Sequence, residues 1–150
     1  MIPLPVSLIS TKNSIEPPDF EKWPVQLGMP TPWHVAVASM IRLHTKKNAK
    51  QMCQELFTAF PTPALLGAAT LEHVRRILKK LPLRNRVAAN ICEMSMRYCS
   101  GHWMDLRDLP GVGLYVADCV GYFCFGATDL SSGDEELQDL VRQATINQTK

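Results

Sequence analysis

The sequence predicts an all-α protein. Helix-start signals follow one another along the chain, at Thr31-Pro32, Thr62-Pro63, Thr70 and Ser132. Between them the apolar residues keep helical spacing, and no stretch shows the strict alternation or paired turns of a strand hairpin. With 150 residues, 46% hydrophobic and 20% charged, the chain is long enough for one compact unit with a sizeable core.

Residues 1–30 hold six prolines and no sustained period, which predicts an extended arm, assigned to 1–18, and one short helix near "DFEKW" opening the compact part, 19–150. "TPWHVAVASMIRLHT" starts with Thr31 as N-cap and Pro32 at the first helical position, then continues with a long apolar face. "AKQMCQELFTAF" repeats the period and stops before Pro61. "TPALLGA" reuses the Thr-Pro start, and "TLEHVRRILKK" is capped by Thr70 with Leu71, Val74, Ile77 and Leu78 on one face. A further helix spans about Arg84 to Cys99 and ends near Gly101. "WMDLRDL" reads as a short helix, followed by the turn "LPGVG" and a helix from Leu114 to Phe125. In the last segment Ser132 and Glu135 read as a capping box, with Asp134 in the first turn of a final amphipathic helix. About eight helices with short links result.

Composition narrows the function. The net charge is only +2, so a nucleic-acid partner has to be met by clustered Lys and Arg and not by a uniformly basic surface. The five cysteines are odd in number and lack a C-x-x-C pair, so they read as reduced core residues and not as metal ligands. No apolar run approaches the ~20 residues of a membrane span. The start "MIPLPVSLISTKNS" has no basic n-region, which predicts an intracellular protein.

In "LPGVGLYVADCVGYFCFG", residues 109–126, Gly111 and Gly113 permit positive φ and leave backbone N–H groups open at the start of a helix. Such a terminus suits an anionic oxygen. This segment resembles the hairpin of the helix-hairpin-helix base-excision DNA glycosylases (HhH-GPD), the superfamily of endonuclease III and the adenine mismatch glycosylases. The resemblance extends over about residues 20–145 and implies a helical fold of two lobes with a cleft between them. It places the amides of Gly111, Val112 and Gly113 on a DNA phosphate, with a monovalent cation at the hairpin as the one accessory ion. Tyr115 stands where bifunctional members carry the lysine that forms a Schiff base with the sugar. A phenol cannot do that chemistry, which implies a monofunctional enzyme without strand cleavage. Many relatives hold an iron-sulfur cluster through four closely spaced cysteines after the catalytic aspartate. No cysteine follows Cys124 here, so the fold is expected without the cluster and without another cofactor.

The resemblance also implies a carboxylate about 18 to 20 residues beyond the Lys or Tyr position, and Asp134 lies nineteen residues after Tyr115. "SSGDEEL" replaces the usual "V-D-T-H", which leaves Glu135, Glu136 and Asp129 as rivals. The short "D-x-x-L" pattern and the "TPW" at Thr31–Trp33 are similar to the glycosylase domains of the methyl-CpG-binding-domain-four branch. Breaking an N-glycosidic bond develops positive charge on the deoxyribose, so a fixed carboxylate beside C1′ stabilises the transition state and orients water.

Extruding a base requires a wedge for the vacated space and cations for the strained backbone. "RRILKKLPLRNR" carries six basic residues around an apolar "LPL". "PLRNRVA" looks like the family's "GLYNxKA" loop, which makes Leu83 the candidate wedge beside Arg84, with Lys80 and Arg86 on the backbone; Pro82 and Arg84 replace a glycine and a tyrosine of that pattern. The resemblance puts His44 and Thr45 at the base pocket. His34, His73 and His102 match no ligand pattern, and Trp33 and Trp103 read as core.

The resemblance thus implies a monomeric, monofunctional DNA glycosylase of base excision repair. Its partner is double-stranded DNA with a lesion or mismatch, uracil or thymine opposite guanine being the favoured target. The expected compartment is the nucleus of a eukaryote or the cytoplasm and nucleoid of a prokaryote, with no membrane. Two alternatives stay open: a DNA-binding module that has lost catalysis, and a same-fold enzyme for modified thymine or alkylated bases.

Overall fold

The computed structural model describes Met29 and residues 31–148, so the expected arm and the helix near "DFEKW" lie outside the described residues. Every regular element among the described residues is helical: α1 (Pro32–Arg42), α2 (Ala49–Ala59), α3 (Pro63–Gly67), α4 (Leu71–Ile77), α5 (Arg84–Ser100), α6 (Leu114–Phe125) and α7 (Glu135–Gln148), with one 3-10 turn at Leu106–Asp108. Thr31, Thr62 and Thr70 cap α1, α3 and α4 as expected, each side-chain oxygen accepting from the backbone N–H three residues on.

α1 runs through the middle of the core. It packs against α2, α5 and α6, while α5 is flanked by α3 and α4. Trp33, Val35, Val37 and Ile41 of α1 are fully buried with Leu56, Leu66, Leu78, Ile91, Met94 and Val116. The Trp33 indole donates to Ser95 Oγ at 2.9 Å, and that hydroxyl donates to the Ile91 carbonyl, so the polar end of the largest core residue is satisfied. A Cβ on Gly67 would stand 2.9 Å from the Met96 backbone nitrogen, which explains a glycine where α3 touches α5.

Several elements depart from the sequence reading. α1 ends at Arg42; His44 and Thr45 lie in a turn, both N–H groups on the Ile41 carbonyl. α4 ends at Ile77, and Leu78 donates to the Val74 carbonyl and turns away, so Lys79 and Lys80 are not helical. "WMDLRDL" forms one 3-10 turn and no α-helix. Asp105 caps it from the N–H of Arg107, and Pro110 holds Leu109 extended (φ −82°, ψ 145°), which stops any continuation. The Ser132/Glu135 capping box does not form. Asp134 is itself the N-cap of α7: its Oδ2 accepts from the Leu137 N–H at 2.8 Å and its carbonyl from Gln138. Aspartate caps as well as serine does, and Ser132 is already held by its own N–H elsewhere. Cys53, Cys92, Cys119 and Cys124 are buried thiols outside any disulfide, but Cys99 is exposed, because it lies on the outer face of the last turn of α5.

Candidate active site

The hairpin turn owes its shape to two different glycines. Gly111 has φ +77°, the left-handed conformation that the sequence reading expected. It is also pressed into the protein: a Cβ there would lie 2.5 Å from Met40 Cε of α1 and 2.9 Å from Asn90 Cβ of α5. Gly113 differs from expectation. Its φ of −98° and ψ of −164° are extended, and a Cβ there would meet nothing within 4 Å. The space in front of Gly113 is open.

Gly113 is the N-cap of α6 and supplies no side-chain cap, so the N–H groups of Gly113 and Leu114 have no partner among the described residues. The Val112 N–H is different: it donates to the Leu109 carbonyl at 3.2 Å, and the side chain is buried, so Val112 closes the turn and does not offer its amide outward. The open end of a three-turn helix and two unpaired amides form a positive, anion-ready surface.

Tyr115 and Cys119 stand in the first and second turns of α6. Half-buried Tyr115 is hydrogen-bonded to the thiol of Cys119, which also meets Ser39 of α1. Burial pushes the Cys119 thiol up to about 11; the bonds to Ser39 and Tyr115 partly offset this, and the charges of Asp134 and Asp118 reinforce it. Asp134 follows two residues after Ser132, which with Ser131 is bonded through its N–H to the Asp118 carboxylate on α6. The Asp134 carboxylate is half-buried, with Oδ2 used by the cap and Oδ1 free of hydrogen bonds among the described residues.

The rivals of Asp134 are placed elsewhere. Asp129 and Glu135 are exposed. Glu136 is engaged by ion pairs: Arg42 donates to its Oε1 and Lys46 to its Oε2. Burial opposes ionisation of Glu136, but the hydrogen bonds and charges of Lys46 and Arg42 outweigh it and leave the carboxyl below its ordinary value. Because Arg42 and Lys46 flank His44 and Thr45, this pairing brings the half-buried His44–Thr45 turn beside the start of α7.

Leu83, Arg84, Lys80 and Arg86 form a separate group at the start of α5. Leu83 is the one non-glycine residue with positive φ among the described residues (φ 58°), and its side chain is 60% exposed. Burial does not explain a leucine held in that conformation. A rise of about 1.5 Å per residue puts Leu83 on the order of 10 Å along α5 from Asn90, which touches the hairpin. Beside it opens a concavity of about 430 Å³ lined by Glu72, Arg75, Arg76, Lys79, Arg84 and Asn85. Arg75 is steadied by Asn85 and Arg84 by the Lys79 carbonyl.

The remaining histidines fall in other places. His34 bonds Thr31 and packs on Trp33 and Phe57, and burial lowers its pKa. His73 packs against Phe60, and His102 is exposed. Among the described residues no three His, Cys, Asp or Glu side chains gather as metal ligands, and no helix is long and apolar enough to cross a membrane.

No family model matches the chain. A thymine-DNA glycosylase of Aeropyrum pernix is 29% identical over 96 residues, covering 57% of this chain and 42% of its own length. A thymine/uracil-DNA glycosylase of Pyrobaculum aerophilum is 32% identical over 94 residues (57% and 41%), and a methyl-CpG-binding domain protein 4-like protein of Arabidopsis thaliana is 27% identical over 99 residues (65% and 22%). The chain spans less than half the length of these curated relatives. Among solved structures, a thermostable thymine-DNA glycosylase superposes with a TM-score of 0.59 at 18% identity, covering 92% of this chain and 75% of that one. Endonuclease III trapped as a covalent intermediate on DNA superposes with a TM-score of 0.59 at 20% identity, covering 81% and 57%. The chain has the helix-hairpin-helix DNA glycosylase fold.

In this glycosylase fold, the sequence reading missed Asp118, Asn90 and the Arg42–Glu136–Lys46 cluster. Asp118 carried a signal, a lone carboxylate inside the apolar run "LYVADCVGYF", since a charge buried on a helix must find partners. The others carried none, because their partners lie far away in sequence.

Proposed function

We propose that this protein is a monofunctional DNA glycosylase that hydrolyses the N-glycosidic bond of a mismatched or damaged pyrimidine flipped out of duplex DNA, uracil or thymine opposite guanine. The observation that carries the reading is the position of Asp134, a half-buried N-cap carboxylate two residues beyond Ser132, whose N–H is bonded to Asp118, one turn from Tyr115 on the hairpin helix. The relatives named thymine-DNA and thymine/uracil-DNA glycosylases support the substrate class.

In the proposed reaction the amides of Gly113 and Leu114 bind a phosphate beside the lesion, Leu83 enters the space left by the extruded base, and Arg84, Lys80 and Arg86 neutralise the strained backbone. Tyr115 and the His44–Thr45 turn line the base. The cap bond through Oδ2 fixes the Asp134 carboxylate, and Oδ1 faces the sugar, where it stabilises the cation that develops as the C1′–N bond breaks and orients the attacking water. The leaving base takes the electron pair of the C1′–N bond, water bonds to C1′ as hydroxyl, and the proton that water gives up ends on the released base. No residue here supplies an amine for a Schiff base at the Tyr115 position, so the product is an intact abasic strand. A monovalent cation at the hairpin would be held by backbone carbonyl oxygens, a hard donor set; no other cofactor is assigned. The proposed species is a monomer.

Asp134→Asn is the decisive test. Asparagine caps a helix about as well as aspartate, so α7 survives while the charge is removed. Base release from a G·T or G·U duplex should fall by roughly a hundredfold or more, as for other electrostatic groups of this kind, with duplex binding retained. Strand nicking should appear only after alkali. A second reading, a binding module without catalysis, is favoured by one fact: capping alone accounts for an aspartate at 134. In that case the wild-type chain binds DNA and releases no base from any lesion duplex.

A further inference from the structure

Asp118 sits in an otherwise apolar helix, 8% exposed. A carboxylate so placed is costly unless hydrogen bonds satisfy it. Here they come from one short stretch of backbone: the Ser131 N–H donates to Oδ1 and Oδ2, each at 3.0 Å, and the Ser132 N–H donates to Oδ2 at 2.7 Å. These residues belong to the link between α6 and α7, which has no regular structure from Gly126 to Asp134 and is largely exposed. Ser132 is held from its other side as well, since Gln138 Nε2 of α7 donates to the Ser132 carbonyl at 3.2 Å. A chain of contacts thus runs from α6 through Asp118 to Ser132, and from Ser132 to the first turn of the helix that Asp134 caps.

We infer that Asp118 is a positioning residue: it clamps the α6–α7 link so that the Asp134 carboxylate is held at a fixed place relative to Tyr115, three residues before Asp118 on the same helix. This rests on the glycosylase reading for its functional meaning. One rigid helix then carries both the residue at the flipped base and the anchor of the carboxylate that serves the sugar. Packing alone leaves this register loose, because α7 adds few buried side chains at this end, Leu137 being the first. A displacement of about 1 Å at a reacting group costs on the order of a hundredfold in rate.

The test uses the full chain with Asp118→Asn, which keeps shape but offers one acceptor oxygen and sets an amide nitrogen against the two N–H donors. Single-turnover base release, normalised to sites titrated with a duplex carrying an abasic analogue, should fall about tenfold to a hundredfold, with affinity for that duplex within about threefold. Because Asp118 acts through Asp134, the double variant D118N/D134N should be no slower than D134N. A normal rate in D118N, or losses that add in the double variant, overturns the inference. Amide hydrogen exchange supplies an arm independent of activity. D118N should speed exchange at Ser131, Ser132 and Leu137 by about tenfold to a hundredfold, the worth of a hydrogen bond to a charged group, and leave the α1 amides unchanged. Unaltered exchange at Leu137 overturns the clamp whatever the enzyme does, whereas faster exchange in a chain that releases no base upholds the clamp and defeats the glycosylase reading alone. If D118N does not fold, Gln138→Ala cuts the same relay at its α7 end and should show the Leu137 effect; no change there also overturns it.

Discussion

The two glycines of the hairpin should fail in opposite ways when each is replaced by alanine. At Gly111 the backbone has φ +77°, and a new methyl would meet Met40 Cε at 2.5 Å and Asn90 Cβ at 2.9 Å. The left-handed conformation costs an alanine about 1–2 kcal/mol, and overpacking adds about 1–3 kcal/mol. Gly111→Ala should therefore lose about 2–5 kcal/mol, which at about 2–4 °C per kcal/mol lowers the melting temperature by roughly 4–20 °C. At Gly113 the backbone is extended and nothing lies within 4 Å of an added Cβ, so the fold should lose under about 1 kcal/mol, the difference between glycine and alanine as N-caps. The methyl instead stands in front of the Gly113 and Leu114 amides. A hydrogen bond to a charged oxygen is worth about 1.5–3 kcal/mol, so Gly113→Ala should weaken binding to an abasic-analogue duplex by roughly tenfold to a hundredfold. Thermal unfolding followed by circular dichroism and fluorescence anisotropy on labelled duplex read the two quantities separately. A Gly113→Ala protein that melts and binds like wild type would refute the assignment of those amides to phosphate.

Leu83→Gly relieves a left-handed leucine worth about 1–2 kcal/mol and loosens the unfolded chain by about 0.4–1 kcal/mol, so stability should hold or rise by up to about 1.6 kcal/mol; base release from duplex should nevertheless fall while release from single-stranded substrate persists, as measured by single-turnover kinetics. Arg84→Ala with Lys80→Ala should lower the slope of log affinity against log salt by about 0.9 for each phosphate that is no longer neutralised, read from titrations between low and moderate salt. Glu136 has its folded pKa below the ordinary 4.5, so its contribution is present above that pH and is lost as pH falls through the lowered value. Glu136→Gln should flatten that acid limb in urea unfolding measured from pH 6 downward.

What the sequence made legible was local. Thr31, Thr62 and Thr70 start their helices because a cap needs only the residues within one turn, and the helix-ending Gly101 works the same way. The left-handed Gly111 and the capping character of the Asp134 region were also visible, although the cap itself falls on Asp134, two residues beyond the expected Ser132. The capping box failed because a longer-range bond overrides it: the Ser132 N–H is taken by Asp118, fourteen residues earlier in the chain, and the carboxylate of Asp134 is left to cap α7. Likewise Glu136 could not be removed from the candidates on sequence alone, since the cations that occupy it lie on and just after α1, Arg42 being 94 residues away.

The same distinction separates the two ways in which this fold uses its charged groups. Glu136 joins Arg42 and Lys46 across α1 and α7, and both of its oxygens are engaged, so it serves as a tether and has nothing left for a ligand. Asp118 has both oxygens turned toward Ser131 and Ser132, so it too is committed to structure. Asp134 alone of the three keeps an oxygen without a hydrogen bond among the described residues, and its other oxygen fixes where that free one stands. An acid that is rigid on one side and open on the other meets the needs of a developing sugar cation, for which a mobile carboxylate would first have to be ordered. The tether and the clamp supply that order in advance, and for this reason the loss of Asp118 is expected to appear in the rate of base release more than in the affinity for DNA.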